Sequence, residues 1–187
     1  MSVSAASRAA GIATDKVNRE RDDFYPTPAY AVEALLDREI FDGQIWEPAC
    51  GDGAISKVLK ARDYSVQSTD LVDRGYGTPR IDFLMEFKTQ APNIITNPPF
   101  KNATAFAYKA LTLATRKVAF LCRIQFLEGI ERRTLFDTYP PKMVLVFSER
   151  LTLWRNGIAT SESSGTNAFA WYIWDHDYNG VPQLGWI

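Results

Sequence analysis

Short apolar runs alternate with amphipathic stretches along the chain. Six runs have the length and the β-branched or aromatic content of buried strands: 45–47, 64–69, 94–96, 118–121, 143–147 and 169–174. Four stretches carry apolar residues at helical spacing: 29–40, 54–61, 103–115 and 128–137. Strands that alternate with helices predict an α/β fold with a parallel sheet covered on both faces. The last two strands have no helical pattern between them, so we expect them to pair antiparallel at one edge of a mixed sheet.

Composition is typical of a folded protein. The 187 residues are 46% hydrophobic and 13% aromatic, which is enough for one domain with a core. Residues 1–22 are rich in Ser, Ala and charge, and we expect a flexible arm there, ahead of a single domain at 23–187. The net charge of −1 gives no overall basic field, so nucleic-acid binding would depend on local patches.

The cysteines and the hydropathy pattern indicate in which cellular compartment the protein is expected. Cys50 and Cys122 have neither metal-ligand spacing nor the pattern of a disulfide framework, which indicates a reducing cytoplasm and no metal. No apolar run is long enough to span a membrane, so we expect no membrane partner.

The tetrapeptide Asn97-Pro98-Pro99-Phe100 follows an apolar strand directly. Ligands of open α/β sheets bind at that end of the strands. The Asn97 side-chain oxygen and the Pro98 carbonyl can accept the hydrogens of an amine, and two prolines stiffen the backbone that aims them. Phe100 offers a flat face to a base that has left its stack. The alternative is a turn that closes a strand.

The segment that joins the first strand to its helix is rich in glycine. Gly51 and Gly53 permit positive φ and a close approach to a ligand. The dinucleotide fingerprint would need a third glycine, and no phosphate-loop lysine follows. Asp52 would repel a pyrophosphate, but Asp52 and Glu47 both suit the cationic amino and sulfonium groups of S-adenosylmethionine; Ala49 lies between them.

Two further acidic positions complete the candidate cofactor site. Asp70 ends the second strand about 20 positions after the glycines, where a carboxylate can accept both hydroxyls of a ribose. The alternative is a helix cap. Asp82 can accept from an adenine amino group while Phe83 packs near the ring; the alternative is a surface Asp beside a core Phe.

In this order the motifs resemble those of the small DNA N6-adenine methyltransferases often found in phages and prophages. The matching segments, from the cofactor motif with Tyr25 and Thr27 to the closing hairpin, are 25–28, 47–53, Asp70, 82–83, 97–100, 123–133, 165–167 and 170–174. The order is like that of the gamma group. The resemblance implies a class I, Rossmann-like, seven-stranded mixed sheet with strand 7 antiparallel, S-adenosylmethionine as cofactor, and methyl transfer to a flipped adenine in DNA.

The chain departs from the family in one respect. Gamma enzymes usually carry a separate target-recognition domain, and we expect none here. Base selection would then come from loops, from a separate specificity partner or a homodimer, or not at all, so we expect a short or relaxed sequence preference. Protection from restriction is implied only by the resemblance.

Several cations and one tryptophan are candidates for DNA contact. They are Lys101, Arg123, Arg132, Arg133, Arg150, Trp154 and Arg155, and we expect the polar loop 148–167 to face the substrate. The alternative for each cation is a solvated surface charge or a local ion pair, and Trp154 can instead be core.

Other activities stay open on the residues alone. An Asn-Pro-Pro-aromatic corner also suits a methyltransferase that acts on RNA adenine or on protein glutamine, and a catalytically weak module that binds cofactor or DNA is a third possibility. Cytosine-C5 chemistry would need a cysteine nucleophile, but neither cysteine adjoins Asn97 in sequence. We expect Cys122 in the core, Cys50 at the cofactor pocket and His176 at the surface.

Overall fold

A computed structural model describes residues 24–154, 157 and 167–187. Seven strands form one sheet in the order β2-β1-β3-β4-β6-β5-β7. Their bounds are β1 Ile45–Glu47, β2 Val66–Ser68, β3 Asn93–Thr96, β4 Lys117–Arg123, β5 Met143–Val146, β6 Phe169–Asp175 and β7 Gln183–Trp186. The arm at 1–22 lies outside the described residues, as do Arg155, Gly165 and Thr166.

Strand directions confirm the predicted mixed sheet. β1 pairs parallel with β2 and β3, and β3 pairs parallel with β4. β5 and β6 pair antiparallel, as predicted, but β6 also pairs antiparallel with β4 and therefore lies inside the sheet. The reason is its apolar sequence, buried from Phe169 to Trp174, which needs cover on both faces.

One of the seven strands that the resemblance implies was not predicted by the hydrophobic pattern. β7 pairs parallel with β5 at the sheet edge and runs antiparallel to β6. Its four residues are mostly exposed and include Gly185, so they lack the alternation that marks a half-buried strand. Residues 81–84 form no strand; a 3₁₀ turn occupies Phe83–Met85.

The four helices are α1 Ala29–Leu36, α2 Ala54–Ala61, α3 Ala103–Leu113 and α4 Ile130–Thr138. The prediction that the first helix continues to Ile40 with that side chain buried was wrong: α1 ends at Leu36, and Ile40 is 70% exposed. After Leu36 the chain turns to bring buried Glu39 to the ammonium groups of Lys117 and Lys142, and these contacts between distant residues outweigh helical periodicity. None of the described helices is long and apolar enough to cross a bilayer.

The helices cover the sheet on both faces. α3 packs on one face over a layer that includes Trp46, Phe83 and Phe120, while α1 packs on the other over Ile95 and Leu121. This double cover leaves the carboxyl ends of β1 to β4 as the accessible edge. The loops that carry the candidate chemistry follow those ends.

Candidate active site

A cavity of about 360 Å³ lies at the carboxyl edge of the sheet. Its walls come from the N-terminal segment 24–27, the glycine loop after β1, two separate parts of the loop after β2 (70–74 and 81–84) and the tetrapeptide after β3. Predicted site residues that line it are Tyr25, Thr27, Glu47, Ala49, Asp52, Asp70, Asp82, Phe83, Asn97, Pro98, Pro99, Phe100 and Lys101. The fold thus brings residues from five separate segments of the sequence to one cavity.

The Asn97 side chain is held by the N-terminal segment. Its Nδ2 donates to the carbonyl oxygen of Tyr25 (3.0 Å) and to Oγ1 of Thr27 (3.2 Å). A carbonyl only accepts, so the nitrogen of the amide must face Tyr25. Asn97 Oδ1 is buried and has no hydrogen-bond partner among the described residues. The cavity wall therefore carries one unfilled, preoriented acceptor.

Phe100 begins a 3₁₀ turn, Phe100–Asn102, and is half-buried. Its ring centroid lies 5.4 Å from that of Tyr25, with the planes tilted by 33°. The guanidinium carbon of Arg123 lies over the ring, 4.5 Å from its centroid. The aromatic surface predicted to receive a base thus borders the cavity and is already in contact with a flat cation.

Asp70 connects the glycine loop after β1 with the loop after β2. Its Oδ2 accepts from the amide of Gly51 (2.7 Å) and its Oδ1 from the amide of Val72 (2.8 Å). No helix follows β2, so the alternative role as a helix cap is not found. Each carboxylate oxygen has two lone pairs, so both keep acceptor capacity for a ligand.

Gly51 and Gly53, which were predicted to contact the cofactor, do not line the cavity, and each lies against an aromatic ring. Gly51 has φ +56°, and a Cβ there would lie 2.3 Å from the ring of Phe24. Gly53 has φ +84°, and a Cβ there would lie 2.6 Å from the ring of Tyr76. Positive φ and the overlying rings together explain why both positions are glycine.

Glu47 lies at the end of β1 with 1% of its surface exposed. It accepts a hydrogen bond from Oγ of Ser56, which in turn lies 2.6 Å from Oγ of Ser68. Burial raises the pKa of Glu47 to about 8, against an opposing effect of the Ser56 hydrogen bond. The carboxyl group thus favours its protonated form at neutral pH.

The other two acidic residues that line the cavity, Asp52 and Asp82, differ in their surroundings. Asp52 Oδ1 accepts from the amide of Ala54 at the start of α2 (3.2 Å). Asp82 is exposed and its Oδ1 accepts from the amide of Leu84 (3.0 Å). Both line the cavity, each with one oxygen committed to the backbone.

Phe83 is a core residue as well as a wall residue. It is 1% exposed, and its ring centroid lies 5.0 Å from that of Trp46 and 4.9 Å from that of Phe106. The alternative interpretation, an exposed Asp82 beside a core Phe83, therefore describes the packing correctly. Phe83 nevertheless also lines the cavity.

Sequence reasoning missed several wall residues. They include Phe24, Leu71, Val72, Arg74, Ile81 and Phe106. Leu71 is 60% exposed directly after Asp70, and Arg74 lies over the ring of Phe24 at 4.3 Å. A leucine directly after an acidic strand end was the signal for Leu71 that the sequence offered. The contact of Arg74 with Phe24 had no signal, because 50 residues separate the two.

The structure separates the residues that were predicted to contact DNA. Lys101 lines the cavity, and Arg123 reaches Phe100 from β4. Arg150 is exposed and Trp154 half-buried, and neither lines the cavity. On α4, Arg133 pairs with Asp137 (3.5 Å) and Arg132 lies over Phe126. Arg133 thus has the local ion pair that the alternative interpretation expected, whereas Arg132 contacts an aromatic ring.

The remaining titratable residues lie as predicted. Cys50 lines the cavity, where burial raises the pKa of its thiol to about 12. Cys122 is buried on β4. His176 follows β6, and its amide donates to the carbonyl of Arg116 at the end of the sheet away from the cavity.

The chain shares its fold with solved structures of low sequence identity. A Vibrio vulnificus protein assigned as the modification subunit of a type I restriction enzyme superposes with a TM-score of 0.58 at 14% identity, over 97% of this chain and 51% of that one. This chain thus spans about half the length of that protein. A Pyrococcus horikoshii protein assigned as an RNA methyltransferase gives 0.54 at 14% identity, over 79% and 80%.

A third structure contains a ligand. The magnesium protoporphyrin IX methyltransferase of Synechocystis, with S-adenosylmethionine bound, gives a TM-score of 0.51 at 13% identity over 78% of each chain. The chain has the methyltransferase fold. No protein-family model matches the sequence, and no curated protein matches it in sequence.

Proposed function

We propose that this protein transfers a methyl group from S-adenosylmethionine to the exocyclic N6 amine of a flipped adenine in DNA. The observation that carries the proposal is the buried Oδ1 of Asn97, which has no hydrogen-bond partner among the described residues and belongs to a cavity that Phe100 also lines. A buried acceptor without a partner costs about 1–3 kcal/mol. The hydrogen of a bound amine would remove that cost.

The carboxylates and the apolar side chains that line the cavity suit the parts of S-adenosylmethionine. Asp70 keeps acceptor capacity for ribose hydroxyls, and Leu71 and Phe83 offer apolar surface to an adenine. Glu47 and Asp52 would face the cationic methionyl part, and Glu47 would ionise as a cation replaces its proton. When bound, the cofactor supplies an electrophilic methyl group on its sulfonium.

The chain's own residues would act by position. Asn97 Oδ1 and the Pro98 carbonyl would hold the two amine hydrogens and draw the nitrogen lone pair out of conjugation with the ring. The Tyr25 carbonyl and Thr27 fix the amide of Asn97 for that task. Phe100 would stack on the base, which must leave the duplex to reach the cavity. Such orientation is worth several powers of ten in rate.

Other substrates are compatible with the same corner. RNA adenine and protein glutamine also present an amine conjugated to an acceptor, and a weakly active protein would bind cofactor or DNA without turnover. The fold does not separate these, since a restriction-modification subunit and an RNA methyltransferase are both among the neighbours. We favour DNA on the motif resemblance and expect a short or relaxed target sequence, read by loops, a specificity partner or a homodimer in a bacterial or phage-infected cytoplasm.

The test is a product analysis. The protein is incubated with S-adenosylmethionine labelled in the methyl group and with unmethylated DNA, RNA or a glutamine peptide in parallel, and the nucleic acids are digested to nucleosides. Label in N6-methyldeoxyadenosine is the expected result. Label only in RNA or peptide would replace the proposed substrate. Cofactor binding by calorimetry without any labelled product would indicate the weakly active module.

A further inference from the structure

The Arg123 side chain meets the candidate site through a contact with the Phe100 ring. Arg123 ends β4, the strand next to β3, and its guanidinium lies 4.5 Å from the centroid of the Phe100 ring. Its Nε is buried and has no hydrogen-bond partner among the described residues. Nor does its side chain make an ion pair in the part of the chain that the structure describes. A buried donor on a strongly polar group is therefore left unfilled beside the proposed base site.

The position of the Arg123 guanidinium suits one face of a pocket better than a fixed point of attachment for a ligand. Arginine guanidinium planes stack on aromatic rings and on nucleobases alike. A side chain that contacts a ring and makes no hydrogen bond within the described residues can withdraw from its partner without breaking a hydrogen bond. The opening that a base would need is about 3.4 Å, the rise of one base along a strand. An arginine has enough rotatable bonds to move that far while β4 stays in place.

We propose that a flipped base enters between Phe100 and Arg123, so that the guanidinium forms the second wall of the base pocket. This inference rests on the proposed function and narrows its substrate class. A slot between an aromatic ring and a planar cation accepts a flat heteroaromatic ring, with its amine directed toward Asn97. A glutamine side chain has too little flat surface to contact both walls. The slot therefore favours a nucleobase over a peptide.

The experiment measures binding that depends on bases. Fluorescence anisotropy gives the Kd of the full protein, with S-adenosylhomocysteine present, for an oligo(dA) strand and for an abasic strand of equal length. The ratio of the two constants isolates base contacts, because both strands have the same phosphates. Arg123→Ala and Arg123→Lys are compared with Phe100→Ala, which removes the opposite wall. Arg116→Ala is the matched control, since Arg116 lies at the other end of β4 and pairs with Asp42.

The expected result is a base preference in the wild type that falls in both Arg123 variants and in Phe100→Ala. Stacking of one base is worth about 1–3 kcal/mol, so the fall should be about 5- to 150-fold. Lysine should not rescue, because it keeps the charge but not the plane. Arg116→Ala should keep the wild-type ratio, and calorimetry should give an unchanged Kd for the cofactor in every Arg123 variant.

Three results would overturn the inference. Equal weakening of both strands in Arg123→Ala, rescued by lysine, would make Arg123 a phosphate contact. An unchanged ratio in Arg123→Ala would remove it from the pocket. A wild type that binds both strands equally would leave no base slot to line. Failure of the proposed function is separate, since it shows as missing N6-methyladenine in the product analysis whatever the binding ratio.

Discussion

Asn97 Nδ2 donates to Thr27 Oγ1 across 3.2 Å, although the two residues are 70 positions apart in the sequence. Together with the Tyr25 carbonyl, Thr27 takes both amide hydrogens of Asn97. The amide can then present only its oxygen to a ligand. The N-terminal segment thus orients Asn97 and also lines the cavity. The same segment therefore contacts both the proposed cofactor-binding region and the proposed catalytic residue.

Replacing Asn97 by alanine should abolish methyl transfer and leave cofactor binding largely intact. The reason is that Oδ1 would act on the amine of the substrate and is separate from the carboxylates of the cofactor side. We expect kcat to fall by about 100-fold or more, as when a preorganised polar group is removed from other active sites. Single-turnover rates and calorimetry with S-adenosylmethionine would check both halves. Transfer at the wild-type rate would show that the corner has another role.

Thr27 offers a finer test of orientation. Thr27→Val keeps the shape of the side chain but removes the acceptor, so the Asn97 amide loses one of its two anchors. We expect kcat to fall by about 5- to 10-fold, the equivalent of a net hydrogen bond of about 1 kcal/mol, with little change in KM for the cofactor. Thr27→Ser keeps the hydroxyl group and should restore most of the rate. Equal rates in the Val and Ser variants would contradict the orienting role.

Glu47 predicts a pH dependence of stability. Burial raises the pKa of its carboxyl from 4.5 in the unfolded chain to about 8 in the folded one. The folded state then holds a proton that the unfolded state has lost, so this group's contribution to stability is complete below about pH 4.5 and falls as the pH rises to about 8. Glu47→Gln cannot ionise, and its free energy of unfolding should fall less over that range. The difference should be on the order of a few kcal/mol.

Urea denaturation of both proteins at pH 5, 6, 7 and 8 would measure that difference. All other titratable groups are common to the two chains and cancel in the comparison. Saturating S-adenosylmethionine should reduce the difference, since a cation beside Glu47 favours the carboxylate. Parallel curves for the two proteins would show that Glu47 does not hold its proton.

Asp70 should matter for the cofactor and for the loop. Asp70→Ala leaves the amides of Gly51 and Val72 without their acceptor, and it removes the carboxylate that would bind a ribose. We expect the Kd for S-adenosylmethionine to rise by about 10-fold or more and the unfolding free energy to fall by about 1–3 kcal/mol.

The matched control for this change is Asp73→Ala. Asp73 lies in the same loop, is exposed and accepts from the amide of Gly75, but it does not line the cavity. Calorimetry and thermal unfolding of both variants would separate a cofactor contact from general loosening of the loop. Equal losses in the two variants would argue against a specific role for Asp70.

Sequence by itself determined the order of the elements and where the chemistry falls on them. Buried strands read as apolar runs because both faces of a parallel sheet are covered, and all six predicted strands lie within two residues of their observed ends at both termini. Glu47, Asp70 and Asn97 were predicted to lie at one site because each stands at or just after a strand end and the carboxyl ends of parallel strands meet at one edge; all three line the cavity. That rule needs only local pattern.

Tertiary structure alone decided what those residues can do. The direction of the Asn97 amide depends on Thr27, the proton on Glu47 depends on burial under α2, and the stack of Arg123 on Phe100 depends on the pairing of β3 with β4. The early end of α1 and the place of β6 likewise follow from contacts with distant segments. Local sequence carries periodicity and residue type, whereas hydrogen-bond partners, desolvation and stacking arise only when segments far apart in the chain come into contact.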